Sequence, residues 1–357
     1  MIEIITGSSY IELKKSINHL GTNSPLLDIN FFQALEKSKS IGENTGWISF
    51  PIIAKNNNEI IGFMPIFLKE HSYGEYVFDH SWADAFQQHG LNYYPKMVSA
   101  IPFTPITGDR ILANDIEVKK AMIKAIEKIL IEYKISSCHI LFPNKKDHEL
   151  FNEMGWLARK GVQFKWQNNS YATFDEFLQT LSHDKRKKIK QERKKIEKNG
   201  IHIERKQGED ITSEDIDFFY ECYCETYRLH NSTPYLQKYF FYELAKTKPN
   251  KLLIIIAKKN GISIASAFNI IGEDSLYGRY WGALEFFSGL HFELCYYQGQ
   301  EFCIENKIKF FEGGAQGEHK LARGFKPFDT YSNHFIAQSD FRVAISNFLD
   351  DERSRIN

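Results

Sequence analysis

The feature that most restricts how this chain can fold is an order of elements that occurs twice. Hydrophobic periodicity and turn residues predict a strand at 2–6, helices near 9–19 and 29–39, and strands at 47–55 and 59–68 joined by Asn56-Asn57-Asn58. A strand near 106–112, a helix over 115–134, a strand at 136–141, a short helix at 147–154 and a strand near 160–171 follow. The second half reads as strand 201–206, helices 213–229 and 235–246, and strands 251–258 and 261–270 turning at Lys259-Asn260-Gly261. Strand 275–282, helix 289–306, strands 308–311 and 330–338, and helix 340–351 complete it. Strand, two helices, three meandering strands, helix, strand, helix is an α/β layout, and 357 residues hold two such domains at the usual ~150 residues each. The expected domains are 1–172 and 173–357, each a mixed, mostly antiparallel sheet flanked by helices.

Charge and apolar runs exclude several roles. Forty-five basic residues balance forty-five acidic ones, so polyanion binding must come from a local patch. The longest aliphatic run, Leu252 to Ala257, is far short of the ~20 residues that cross a bilayer. The start, MIEIITGSSYIEL, lacks the basic-then-apolar order of a signal peptide. Five cysteines, 138, 222, 224, 295 and 303, form no C-x-x-C pair. Reduced thiols and a cytoplasmic location are the expectation, with no metal.

The local patch lies between the halves. Thr173-x-x-Glu176 is a capping-box pattern, Ser182 can cap the next helix, and that helix, 183–198, contains KRKKIKQERKKIEK from Lys185 to Lys198. Nine basic residues against two glutamates give it +7, and Ile189 and Ile196 leave one thin seam to dock. Such a rod is either a solvated surface or a platform for the phosphates of a nucleotide, coenzyme A or tRNA, with Arg186 and Lys190 as candidate contacts. Residues 71–105 interleave aromatics with His, Asp and Gln, His80 and Asp84 among them. A buried cluster under a long loop, or a surface for a sugar, base or peptide, would both use that pattern.

Chemistry concentrates in EGGAQGEHKLARGFKP, Glu312 to Pro327. Gly313, Gly314 and Gly317 let backbone N–H groups approach an anion, and Lys320, Arg323 and Lys326 recur every three residues. The G-x-x-x-x-G-K-[ST] phosphate loop is not matched. Glu312, Glu318, His319 and, beyond the run, His334 add titratable groups, and Gln316 adds a neutral one. Acyl transfer needs a proton acceptor for the nucleophile and a donor for the oxyanion, and this run supplies both types. On the preceding helix His291, Cys295, Gln298 and Phe302 share a face, with Glu293 turned elsewhere. Arg279 and Gly282 partly match an R-x-x-G-x-G/A pyrophosphate loop, which Leu284 breaks. No G-x-S-x-G, H-E-x-x-H or paired C-x-x-C occurs, which sets aside serine hydrolases, zincins and zinc modules.

The run from Gly278 to His334, with FDHSWADAFQQHG and LSHDKRKKIKQERKKIEKNGI before it, resembles the peptidoglycan biosynthesis/recognition family of Fem-like N-acyltransferases in the GNAT superfamily. The resemblance implies two tandem GNAT-like domains and transfer of an acyl or aminoacyl group, from acyl-CoA or aminoacyl-tRNA, to an amine acceptor such as a peptidoglycan precursor. Ser182, Arg186, Ile189 and Gly200 fit the S-x-x-x-R-x-x-I helix and following glycine of Fem enzymes. Gly313-Gly314 and Gly324-Phe325-Lys326 fit their G-G and F-K segments, which implies a role for Lys326 at the reacting carbonyl. The expected catalytic groups are therefore Glu318 or His319 as base and Lys326 as oxyanion donor. Substrate contacts are expected from His80, Asp84, Arg186, Lys190, Arg279, His291, Glu293, Glu312, Gly313, Gly314, Gln316, Lys320 and Arg323. Two other functions fit the same residues: a non-catalytic module holding cell-wall fragments or nucleotide sugars, and a coenzyme A-dependent acetyltransferase of small amines.

Overall fold

The computed structural model describes residues 2–13, 15–20, 24–314 and 317–356. By contact the chain forms two compact units, one running to Val162 and resuming at Asp329, the other spanning Gln163–Phe328. This differs from a single boundary at 172/173. Strand Lys326–Ile336 pairs antiparallel with Ser137–Leu141, from Ser332↔Leu141 to Ile336↔Ser137, so the end of the chain returns to the first unit. The closing helix Ser339–Ile356 then packs Ile345 and Leu349 against Trp82, Phe86 and Tyr93.

In the first unit the two long strands expected at 47–55 and 59–68 become four. Trp47–Ser49 pairs with Ile66–Lys69, whereas Ile52–Asn56 pairs with Glu59–Met64 in a separate sheet. Pro51 and Pro65 have no N–H for a ladder, so the chain changes sheet at both. The helix expected at 9–19 is reduced to a 3-10 turn, Lys15–Leu20. Its first N–H groups are taken elsewhere: the Glu36 carboxylate accepts from Tyr10 N at 2.8 Å and Ile11 N at 2.9 Å. Helix Ile116–Glu132 buries Val118, Met122, Ile123, Ile126 and Leu130, the 3.6-residue stripe, against Ile52, Met64, Met97 and Ile140. The 71–105 region contains helix His80–Gln88 and strand Lys96–Ser99. Of the strand expected at 106–112, only Leu112–Ala113 forms.

In the second unit Ile201–Gln207, Leu252–Lys259, Ile262–Ile271, Ser275–Ala283, Phe310–Glu312 and the end of Leu157–Gln167 lie side by side. All pairs are antiparallel except Ser275–Ala283 with Phe310–Glu312. Strand alternation gives this sheet two different faces. Leu253, Ile255, Ala267, Leu276 and Phe311 join one core with Ile189 and Ile196 of helix His183–Lys198 and with Leu290, Leu294 and Tyr297. On the other face Phe268 and Tyr280 meet Phe219 and Phe241 of helices Ser213–Leu229 and Lys238–Thr247. At Gly282 an added Cβ would stand 1.8 Å from the Cys222 carbonyl oxygen, so this glycine serves helix packing.

Candidate functional site

Strand Ser275–Ala283 is paired throughout with Ile262–Ile271, but its other edge meets Phe310–Glu312 in only three registers, ending at Tyr277↔Glu312. Among the described residues the ladder stops at that pair. A β-bulge sits at the same level: Phe268 faces Tyr280 while Asn269 faces Gly278, so Arg279 is the inserted residue. Gly278 allows the close approach here, where a Cβ would lie 3.2 Å from the Phe311 ring and 3.5 Å from the Glu312 carbonyl oxygen. Gly314 follows at φ +82°, the left-handed region that glycine enters without strain.

Glu312 ends that ladder. Phe311 belongs to the core shared with the basic helix, so alternation turns Glu312 to the opposite face, beside Tyr277 and Lys165. The residue is 8% exposed, and Oε2 has no hydrogen-bond partner among the described residues. Lys165 Nζ stands 3.9 Å from Oε1, beyond hydrogen-bond reach. Burial pushes the carboxyl up to about 7, against the opposing pull of Lys165 and Arg279.

The basic helix's face carries the histidines. Leu290–Phe292, a π turn Glu293–Tyr297 and Gln298–Glu305 form one continuous helix. Tyr296 Oη lies 2.8 Å from Nε2 of His319, in the 3-10 turn Glu318–Arg323. The His291 ring lies 5.5 Å from that of Tyr296 and 6.2 Å from that of His319. Burial, then Arg323 and Lys320, lowers the pKa of His319. Burial, then His319, lowers that of His291 to about 4, so both rings are neutral near pH 7. Lys320 donates to the Gly314 carbonyl at 2.6 Å, and burial lowers its ammonium to about 8.

Arg323 holds this turn. Its Nε donates to Tyr297 Oη at 2.9 Å, Nη1 to the His319 carbonyl at 2.8 Å and Nη2 to Glu192 at 2.8 and 3.0 Å, with the guanidinium 3.4 Å from the Phe292 ring centre. Beside it Arg193 bridges Glu293 and Glu301 at 3.1 and 3.0 Å. Two residues of the basic helix are thus built into the site's wall. The outer surface of the same helix forms a shallow groove of about 320 Å³ lined by His183, Arg186, Lys187, Lys190, Gln191 and Lys194, a cationic lining suited to phosphate oxygens.

Several expected contacts sit differently. Each guanidinium nitrogen of Arg323 has a protein partner, and Glu293 is consumed by Arg193 and by Gln298 at 2.8 Å, so both act as supports. Glu312 stands on the sheet face opposite the histidines. Gly313 packs under Tyr296 and Phe325, with a Cβ position 3.1 and 3.2 Å from their rings. Lys190 pairs with Asp175 at 3.0 Å on the surface. Lys326 is exposed at the start of its strand. His80 and Asp84 lie on the exposed side of a first-unit helix. Gln316 and the side chain of Glu318 lie outside the described residues. Thr173 accepts from Glu176 N at 3.2 Å, while Ser182 makes no side-chain cap bond.

The first unit contains the corresponding parallel pair, Lys96–Ser99 with Ser137–Leu141. Gly108 bridges Pro143, and fully buried Arg110 donates to the carbonyls of Leu141, Ile106 and Asp109 at 2.7, 2.7 and 2.9 Å. Nearby elements of this unit hold an ionic cluster that the sequence did not reveal. Lys69 and Lys96 face each other across two strands, and Lys96 Nζ donates to Ser72, Glu75 and Asp79 at 2.8, 2.8 and 2.5 Å. From Asp79 the network passes through Tyr93 and His139 to His334, with a 2.7 Å contact between the two imidazoles.

Comparison with known proteins agrees with this architecture. The family model described as FemAB-like, peptidoglycan biosynthesis/recognition, matches residues 8–357. No curated protein matches the sequence. Among solved structures, a C-terminal DUF2156 domain from Agrobacterium fabrum, assigned as that of a lysylphosphatidylglycerol synthetase, superposes with a TM-score of 0.58 at 10% identity, covering 94% of this chain and 96% of its own. FemX gives 0.56 at 11%, over 96% and 100%. L-PGS from Bacillus licheniformis gives 0.53 at 12%, over 90% and 96%. At these identities the likeness is one of fold, with mixed sheets flanked by helices in two units.

Proposed function

Because the chain belongs to the FemAB-like peptidoglycan biosynthesis/recognition family, we propose that it is an acyl- or aminoacyl-transferase that moves an acyl group from a phosphate-containing carrier to an amine, with a peptidoglycan precursor as the acceptor class. The observation that carries this reading is the parallel ladder that ends at Tyr277↔Glu312 among the described residues, set against the first unit, where Gly108 bridges Pro143 beyond the corresponding pair. An opening beyond the end of such a parallel pair would let two reactants meet in line.

The two sheet faces support a division of labour. Carrier phosphates suit the groove of Arg186, Lys187, Lys190 and Lys194, whose helix reaches the site through Glu192 and Arg193. Aminoacyl-tRNA and acyl-CoA both fit that description. His319 has its Nε2 on Tyr296 and its protonation opposed by Arg323 and Lys320, which suits a neutral hydrogen-bond partner of the acyl carbonyl better than a base. Lys326, at the F-K position, is the oxyanion donor of this proposal, and Lys326→Ala should lower turnover ~10²- to 10³-fold.

The test is stabilisation of the full chain by acetyl-CoA, a charged tRNA and a UDP-linked precursor, each alone and in donor–acceptor pairs. A donor and an acceptor that each raise the melting temperature, and react when combined, fit the proposal. A response to the UDP-linked precursor alone favours a recognition module, a reading supported by Tyr73 and Phe78, 62% and 60% exposed in the first unit.

A further inference from the structure

We propose that Glu312 is the proton acceptor of the transfer reaction, a catalytic carboxylate that meets an amine arriving on the sheet face opposite the basic helix. The inference rests on the transferase reading above and adds to it the residue that makes the amine nucleophilic.

Three observations carry it. First, Glu312 is the last residue paired with Ser275–Ala283, so it stands where that ladder ends, on the sheet face turned away from the basic helix. Second, it is a buried carboxyl whose Oε2 has no hydrogen-bond partner among the described residues, an arrangement that costs stability unless another molecule completes it. Third, the groups facing it leave it poised between its two states. Lys165 on one neighbouring strand and Arg279 on the other favour the anion, Asp274 before that strand opposes it, and burial outweighs them to bring the carboxyl to about 7. Tyr277, paired with it, has its phenol raised by burial and by Glu312 itself, so it stays protonated. A base matched to neutral pH takes a proton in one step and returns it in the next.

The step balances. The amine lone pair forms the C–N bond at the acyl carbon, and the carrier's C–O or C–S bond breaks with its electron pair remaining on the carrier. The nitrogen's proton passes to Glu312 Oε2 and then to the departing oxygen or sulfur. The histidines on the opposite face take no part in that transfer.

The experiment compares the full chain with Glu312→Gln and Glu312→Asp, using alanyl-tRNA and acetyl-CoA as donors and a UDP-linked peptidoglycan precursor with a free lysine amine as acceptor. Glu312→Gln should lower kcat/KM ~10²- to 10⁴-fold with donor affinity intact, and the acidic limb near pH 7 should vanish. Glu312→Asp, which keeps the carboxylate, should recover part of the rate and restore a pH limb. A Glu312→Gln protein with the rate and pH profile of the wild type overturns the role of Glu312 alone. A wild-type chain that consumes no donor with any acceptor overturns the transferase reading, and this role with it.

Discussion

Arg323 grips both oxygens of Glu192, at 2.8 and 3.0 Å, and so ties the turn that carries His319 to the helix that carries the positive charge. The pair is largely buried, with side chains 2% and 17% exposed. Removing the cation strands a carboxylate and frees the turn. Arg323→Ala should destabilise the protein by about 3–5 kcal/mol, and Arg323→Lys should recover little, since an ammonium cannot reach Tyr297, His319 and Glu192 at once. Urea unfolding of the three proteins checks this.

Folding raises the Glu312 carboxyl from 4.5 to about 7, so between those values the folded chain keeps a proton that the unfolded chain releases. Its contribution to stability is full below pH 4.5 and is lost as pH rises through 7. Glu312→Gln does not titrate, so relative to wild type it should gain about 2 to 3 kcal/mol of stability between pH 5 and pH 8. Parallel denaturation curves at the two pH values would refute the raised carboxyl.

Much of the fold was legible because local signals agreed with it. Ile189 and Ile196 gave the docking seam of the basic helix, and Lys259-Asn260-Gly261 gave its hairpin. The glycine run marked the turn after Glu312. What stayed hidden depends on pairing between distant segments. The face that Glu312 occupies follows from its strand neighbours Tyr277 and Lys165, more than thirty and a hundred residues earlier. Lys69 and Lys96 each end or begin a short apolar strand; only their cross-strand register shows two buried lysines beside Glu75 and Asp79. Arg323 read as a carrier contact because its spacing with Lys320 and Lys326 was visible, while its partner Glu192 lay 131 residues away.

That first-unit cluster has its own consequence. Lys96 pairs with both Asp79 and Glu75, with its side chain fully buried. Lys96→Met should cost about 3–5 kcal/mol by leaving Asp79 without its cation and Glu75 with only Lys69, 3.9 Å away. Adding Glu75→Gln and Asp79→Asn to it should restore part of the loss. Equal stability of wild type and the single variant in a denaturant titration would contradict the buried pairing.

The exposed side of the basic helix gives a salt test. If the groove holds carrier phosphates, affinity for a charged tRNA falls steeply as salt rises, and replacing Lys187 and Lys194 by alanine reduces the log–log slope by about one for each phosphate no longer neutralised. Filter binding at several salt concentrations measures both. A slope unchanged by the substitutions returns that surface to ordinary solvation.

The most direct measurement is mass analysis of the acceptor after incubation of the full chain with a UDP-linked peptidoglycan precursor and either alanyl-tRNA or acetyl-CoA. The account predicts an acceptor heavier by one acyl group, blocked at its amine, with formation strongly reduced in Glu312→Gln and Lys326→Ala. An acceptor of unchanged mass with every donor, while the precursor still binds, would contradict it.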